Sequence, residues 1–206
     1  CAGCATGEEA YTLAMLVREQ LDTLPGPPPD VQIFATDIDQ DALAFARQGV
    51  YPIGVADEIG EARLKRFFLK KGQQYHVVKE LRELVLFSVH NLINDPPFSR
   101  LDLISCRNLL IYLGTHLQKK LIPLFHYALK PGGFLFLGPS ENLSSHRELF
   151  RPVDAKHRLS RRLPTAIRPP GLLTGRSGPL TPVRPTASAP AGEHDTYLLM
   201  QRIILD

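Results

Sequence analysis

The sequence predicts an α/β fold built on a doubly wound, mainly parallel sheet, and three observations predict it. A small-residue turn, Cys1-Ala2-Gly3-Cys4-Ala5-Thr6-Gly7, runs straight into an amphipathic helix. Strand-like and helix-like segments then alternate as far as Leu137, the pattern of a sheet with crossover helices. A polar cluster follows the apolar run Leu101 to Ser105, at the carboxyl end of a predicted strand, where doubly wound sheets bind ligands.

Each element has its own local cause. From Glu8 to Leu24, Ala10, Leu13, Ala14, Val17 and Leu21 recur at helical spacing until Pro25-Gly26-Pro27-Pro28-Pro29 stops the helix. Val31 to Ala35 reads as a buried strand, and Asp39 as the N-cap of a helix that ends near Gly49. Residues 51 to 79 are polar and basic, with a hairpin expected around Lys71-Gly72-Gln73, and are read as an inserted lobe. Strands are then expected at Leu84 to Val89, Leu101 to Ser105 and Phe134 to Leu137, with a helix over Leu117 to Leu129.

The expected organisation is one folded domain over residues 1–162, a Pro/Arg-rich linker over 163–192, and the start of a further module over 193–206. The turn at residue 1 has no strand before it and no initiator Met, so the sequence is expected to be a fragment of a longer protein. Of 206 residues, 44% are hydrophobic and 22% charged, enough for one sizeable core. The net charge of +3, with no long block of like charge, gives no reason to expect nucleic acid or an anionic membrane as partner. No apolar run reaches the ~18 residues of a membrane span, so a cytoplasmic setting is expected. Three cysteines are too few for a disulfide framework, and Cys1 and Cys4 lack further ligands at zinc spacing, so no metal is expected.

The turn departs from a dinucleotide fingerprint, because Gly3 and Gly7 bracket Ala5 where a glycine would stand. Close backbone approach without strong anion cradling suits a ligand that lacks a pyrophosphate, such as S-adenosylmethionine. Glu8 and Glu9 complement the helix macrodipole. Thr6 and Glu9 are spaced as a capping box, which stands against a ligand contact for Glu9 at even weight, whereas Glu8 is freer to face an amino group. Asp37 ends its strand and is the expected partner of a ribose diol. Asn91 could meet adenine edges or serve as a turn residue. Arg107, Asn108 and Tyr112 follow the third strand, and each alone has an ordinary structural explanation; their grouping favours a site.

Those residues resemble the CheR family of chemotaxis receptor methyltransferases. The resemblance lies in A-G-C-A-T-G-E-E-A-Y-T-L-A-M, A-T-D-I-D-Q-D-A-L-A-F-A-R-Q-G-V-Y, F-S-V-H-N-L, F-S-R-L-D-L-I-S-C-R-N-L-L-I-Y-L and K-P-G-G-F-L-F-L-G-P-S-E-N-L, in that order over residues 1 to about 145. It implies a Rossmann-like class I methyltransferase fold that lacks its first strand. The implied activity is S-adenosyl-L-methionine-dependent O-methylation of glutamate side chains on methyl-accepting chemotaxis receptors. Cofactor contacts are implied at Gly3, Glu8, Glu9, Asp37, Asn91, Leu92, Arg107 and Asn108, and a place beside methyl transfer at Tyr112. Relatives carry a small N-terminal helical domain, which this sequence lacks, and the inserted lobe resembles their β-subdomain. Phe150 to Leu159 resembles fused CheB/CheR hybrid proteins more than stand-alone enzymes. A competing expectation is a non-catalytic, cofactor-binding scaffold module of a multidomain signalling protein.

Overall fold

The computed structural model describes residues 1–165. Most of the expected linker, and all of the module expected over 193–206, lie outside the described residues. Helix α1 (Glu8–Leu21) leads to strand β1 (Ile33–Asp37) and helix α2 (Gln40–Gln48). The lobe follows, with β2 (Val50–Pro52), α3 (Ala56–Ile59), α4 (Glu61–Phe67), β3 (Phe68–Lys71) and β4 (Gln74–Val77). Then come α5 (Lys79–Leu84), β5 (Val85–Val89), β6 (Leu101–Cys106), α6 (Thr115–Ala128), β7 (Leu129–Leu137), β8 (Phe150–Asp154) and β9 (Leu159–Arg162).

Strands β1 and β5 pair in parallel, from Ile33 opposite Val85 to Asp37 opposite Val89. Strands β6 and β7 also pair in parallel, and β9 and β8 extend that side antiparallel in the order β6-β7-β9-β8. Cys1 and Ala2 join the two halves. Ala2 N donates to Ser105 O at 2.8 Å, while Thr36 N donates to Cys1 O at 2.9 Å. The Cys1 amino group donates to Phe34 O at 2.8 Å. Next to these two residues, between β1 and β6, lies a cleft of about 530 Å³. Leu13 and Val17 of α1 line one side of it, and Leu124, Phe125 and Ala128 of α6 the other.

Two cores explain the layering. Ala10, Tyr11, Ala14, Leu43, Ala46, Phe67, Leu81 and Phe87 pack α1 and α2 against β1, β5 and the lobe. Ile104, Cys106, Leu121, Ile122, Phe125, Leu135, Leu137 and Phe150 pack α6 against β6 and β7. Because successive strand side chains point to opposite faces, Ser105 turns toward α1 while Ile104 and Cys106 turn toward α6. Helices therefore cover both faces. Each fully buried Leu or Phe in these clusters contributes about 1.5–3 kcal/mol.

Local expectations meet the structure with some corrections. Asp39 caps α2 as its sequence position predicts, accepting from Asp41 N and Ala42 N, and Gly49 ends the helix at φ +60°. The hairpin turns at Gly72, φ +59°, and the lobe sheet has the order β2-β4-β3. Leu84 closes α5 rather than opening a strand, and helix α5 itself is not evident from the sequence. Strand β7 begins at Leu129, five residues before Phe134, and takes in Pro131-Gly132-Gly133 through a register shift against β6. Glycine relieves crowding at 133, where a Cβ would stand 3.0–3.2 Å from the carbonyls of Lys130, Asp102 and Leu101.

The capping box does not form. Gly7 is the N-cap of α1 in the left-handed region, with no side-chain cap. The Thr6 hydroxyl donates instead to the Glu8 carboxylate at 2.7 and 2.9 Å. Thr6 precedes the cap, so its hydroxyl meets the side chain of the first helical residue and not the backbone amides of the helix start.

Candidate functional site

Four segments meet at the carboxyl edge of β1, β5 and β6. The turn from Cys1 to Gly7 is drawn onto β1 by Gly3 N and Cys4 N, both donating to Thr36 O. Ala5 N donates to Asp37 Oδ2 at 2.8 Å, and Asp39 N to Asp37 Oδ1 at 3.0 Å. Asp37 thus holds the turn and starts the approach to α2, and each of its oxygens keeps a further lone pair. Gly3 lies at φ +72°, and a Cβ there would meet Leu109 at 3.1 Å, so the loop after β6 packs directly on the turn. Gly7, at φ +92°, approaches Ala46 and Phe87 closely.

Glu8 and Glu9 point different ways. Glu8 is exposed and tied to Thr6. Glu9 is half-buried and reaches toward the sheet, accepting from Ser105 Oγ at 2.6 Å and from Cys1 Sγ at 3.4 Å. It is a brace between α1 and β6 and faces the ends of the parallel strands. Burial, helped by the Asp37 charge, pushes the Cys4 thiol up to about 12. Cys106 is also raised by burial, with Glu141 and Glu9 adding to it. Both thiols are therefore protonated and poor nucleophiles. Among the described residues no group of three His, Cys, Asp or Glu could hold a metal ion.

After β5, His90 N donates to Asp37 O, which brings this loop beside β1. Asn91 Oδ1 accepts from Ile93 N and Asn94 N, at 3.0 and 3.1 Å, so its oxygen is committed to an Asx turn. Its Nδ2 is what it can offer a ligand. Leu92 packs on the second core and lines the cleft between β1 and β6, which Cys1 and Ala2 of the turn also line.

The loop after β6 carries Arg107, Asn108 and, on a 3-10 turn Leu110–Tyr112, Tyr112. The Arg107 guanidinium lies over the Phe136 ring at 4.9 Å, and its buried Nε has no hydrogen-bond partner among the described residues. Asn108 adopts φ +57°. The Tyr112 ring is 81% exposed, beside exposed Ile111. Ile38, directly after Asp37, is 68% exposed, and Ile93 is also exposed on its loop. Three contributors are not evident from the sequence: Ser105, which holds Glu9; Tyr51, whose hydroxyl donates to Thr6 O at 2.9 Å; and Glu141, which holds the Asn108 loop. Their partners are distant in sequence. Only its polar side chain at the carboxyl end of the mainly apolar run 101–106 marks Ser105 in advance.

A parallel sheet with bare left-handed backbone at its first turn and an acid at the end of the next strand defines a nucleoside-cofactor site of the Rossmann-like kind. The sequence matches the CheR methyltransferase, SAM binding domain, over residues 1–159, and the chain belongs to that family. It is 41% identical over 187 residues to an uncharacterized 104.1 kDa protein from the hypE 3′ region of Rhodobacter capsulatus, covering 91% of this chain and 19% of that protein. It is 35% identical to the putative methyltransferase Cher3 of Pseudomonas putida, covering 78% and 61%. With chemotaxis protein methyltransferase 2 of Pseudomonas aeruginosa it shares 38% identity, covering 74% and 55%. The chain thus spans about a fifth to three-fifths of these relatives. A TehB-like SAM-dependent methyltransferase from Corynebacterium glutamicum superposes with a TM-score of 0.44 at 14% identity, over 78% of this chain and 75% of that one.

S-adenosylmethionine is the cofactor of this domain, and the residues present fit it. Gly3 offers close backbone approach, Asp37 keeps acceptor capacity, and Arg107 Nε is an orphaned donor at the same edge.

Proposed function

We propose that the protein O-methylates glutamate side chains on methyl-accepting chemotaxis receptors. One observation carries the reading: the loop Arg107 to Tyr112 packs through Leu109 on the cofactor turn, and three residues further on it carries an exposed tyrosine, Tyr112. The names of the Pseudomonas aeruginosa relatives support the substrate class.

In this reading Gly3, Asp37, Asn91, Arg107 and Asn108 hold the cofactor, with Asp37 accepting from the ribose diol. Glu9, half-buried against Ser105, and Glu8, exposed at the helix start, are the carboxylates available to an amino group. When bound, S-adenosylmethionine supplies a methyl group activated by positive sulfur. A receptor glutamate, with an ordinary pKa of about 4.3, is already ionised at neutral pH, so no strong base is required. The protein's task is alignment and exclusion of water. Tyr112 orients the acceptor carboxylate through its hydroxyl, while the exposed Ile38, Ile93 and Ile111 give the approaching receptor helix an apolar surround.

The test uses the full-length protein, radiolabelled S-adenosylmethionine and receptor, and measures base-labile methyl ester. Tyr112→Phe is expected to lower kcat more than affinity for S-adenosylhomocysteine. Cofactor binding without ester formation would instead leave a scaffold module.

A further inference from the structure

Glu141 is 4% exposed and makes no ion pair among the described residues. Three backbone amides satisfy its charge. Oε2 accepts from Gly138 N at 2.7 Å and from Asn108 N at 3.2 Å, and Oε1 accepts from Leu110 N at 2.7 Å. The carboxylate therefore spans two loops, one after β7 and one after β6. A buried anion met by several N–H dipoles in a low-dielectric setting is a strong and directional tie, and a costly one to leave half-made.

Both ends of the Tyr112 turn are fixed by side chains. Leu110 N–H goes to Glu141, while Leu110 O accepts from Gln118 Nε2 at 2.9 Å. The same Nε2 donates to Leu113 O at 2.9 Å. Within the turn, Tyr112 N donates to Leu109 O and Leu113 N to Leu110 O. The loops also touch at Gly138, where a Cβ would stand 2.5 Å from Asn108 Oδ1. Tyr112, 81% exposed, has little packing of its own to set its place, so its position is inherited from the backbone of this turn.

We propose that Glu141 is a positioning residue for methyl transfer: it holds the Asn108–Leu110 backbone so that Tyr112 stands at the acceptor carboxylate, with Gln118 as the second anchor. The proposal rests on the functional reading above. Glu141 is buried with its carboxylate engaged by backbone amides, so it acts through that backbone. Glu141→Gln keeps the shape but sets an N–H donor against backbone amides that need an acceptor, which frees one end of the turn.

The experiment is a double-mutant cycle in the full-length protein between Glu141→Gln and Tyr112→Phe, with Gln118→Leu as a second, gentler release of the turn. In the otherwise wild-type protein, Glu141→Gln is expected to lower kcat on the order of 10- to 100-fold, with a smaller loss of S-adenosylhomocysteine affinity, because the same backbone also carries Asn108. In the Tyr112→Phe background it is expected to cost little more, because the group it positions is already disarmed. Hydrogen exchange at the Leu110 and Leu113 amides is expected to quicken in Glu141→Gln and Gln118→Leu. Additive losses of kcat, or unchanged exchange at Leu110, would overturn the proposal. If Glu141→Gln does not fold, Gln118→Leu in the same cycle decides by the same criteria. An inactive wild-type protein that still binds S-adenosylhomocysteine would overturn the functional reading and this proposal with it; failure of the clamp alone shows as full wild-type turnover with additive variants.

Discussion

The Tyr51 hydroxyl, on the first strand of the lobe, donates at 2.9 Å to the carbonyl of Thr6 in the cofactor turn. The lobe is thereby tied to the turn across 45 positions of sequence. Tyr51 is 4% exposed, stands edge-on to Tyr11 at 6.1 Å, and burial raises its phenol above the ordinary range. The proton therefore stays on Tyr51 and the bond keeps its direction. Tyr51→Phe removes the donor but leaves Thr6 O inside, which is expected to cost about 1–3 kcal/mol of stability in urea melts. Calorimetry with S-adenosylhomocysteine is expected to show weaker binding too, because the turn loses its tie to the lobe. Unchanged affinity would mean that the ties to Thr36, Asp37 and Ser105 hold the turn without the lobe.

Gly7 combines two demands that Gly26 separates. Both have φ +92°, but a Cβ on Gly7 would meet Ala46 Cβ at 2.8 Å, whereas nothing lies within 4 Å of one on Gly26. Gly26→Ala is expected to cost about 1–2 kcal/mol from backbone strain alone. Gly7→Ala adds overpacking of about 1–3 kcal/mol and pushes α1 off α2. Thermal unfolding of the two variants checks the order; equal losses would mean that α2 yields easily.

Much of the fold was legible because its signals are local. Asp39 and Gly49 bound α2 through short-range hydrogen bonds and a left-handed residue, and both meet their sequence expectation. Asp37 is reached by its position at a strand end. Where the sequence misled, two local readings competed or the partner was remote. Thr6 and Glu9 have capping-box spacing, yet Glu9 gains more by meeting Ser105, 96 positions away, than by returning to its own helix start. Lys130 to Gly133 looks like a break before a strand because of Pro131 and Gly132, but pairing with β6 absorbs it into β7. Glu141 carries no local signal. Its three amide partners assemble only when β6 and β7 lie side by side.

Asp37 and Asp39 sit two residues apart and are expected to separate cleanly on mutation. Among the described residues, the Asp39 side chain accepts only from amides of its own helix start, Asp41 N and Ala42 N. Asp39→Ala is expected to cost about 1 kcal/mol of stability, typical of a lost N-cap. Its effect on S-adenosylhomocysteine affinity is expected to be small. Asp37→Ala removes the acceptor for Ala5 N, and with it the proposed ribose contact, so binding is expected to fall to the detection limit of calorimetry. Comparable affinities in the two variants would remove Asp37 from the cofactor site.

His126 gives the fold a pH dependence of definite sign. It is 1% exposed, stands edge-on to Phe150 at 5.6 Å, and shares a 2.9 Å hydrogen bond between Nε2 and Leu163 O. Burial lowers its pKa; the bond to Leu163 opposes that, and the Arg162 charge adds to it. In the unfolded chain a histidine titrates near ~6.5, so on acidification the unfolded state takes up the proton first. The contribution of neutral His126 is therefore complete above about pH 6.5 and is lost as the pH falls from there toward the lowered folded value. The loss is bounded by about 1.4 kcal/mol per pH unit. The lowered Asp154 carboxyl, held down by His157, acts in a separate window below the ordinary carboxylate pKa. Urea midpoints at about pH 7.5 and about pH 5.5 are expected to differ more in the wild type than in His126→Gln, which keeps a donor for Leu163 without the titration. Parallel shifts in both proteins would move the pH dependence to another histidine.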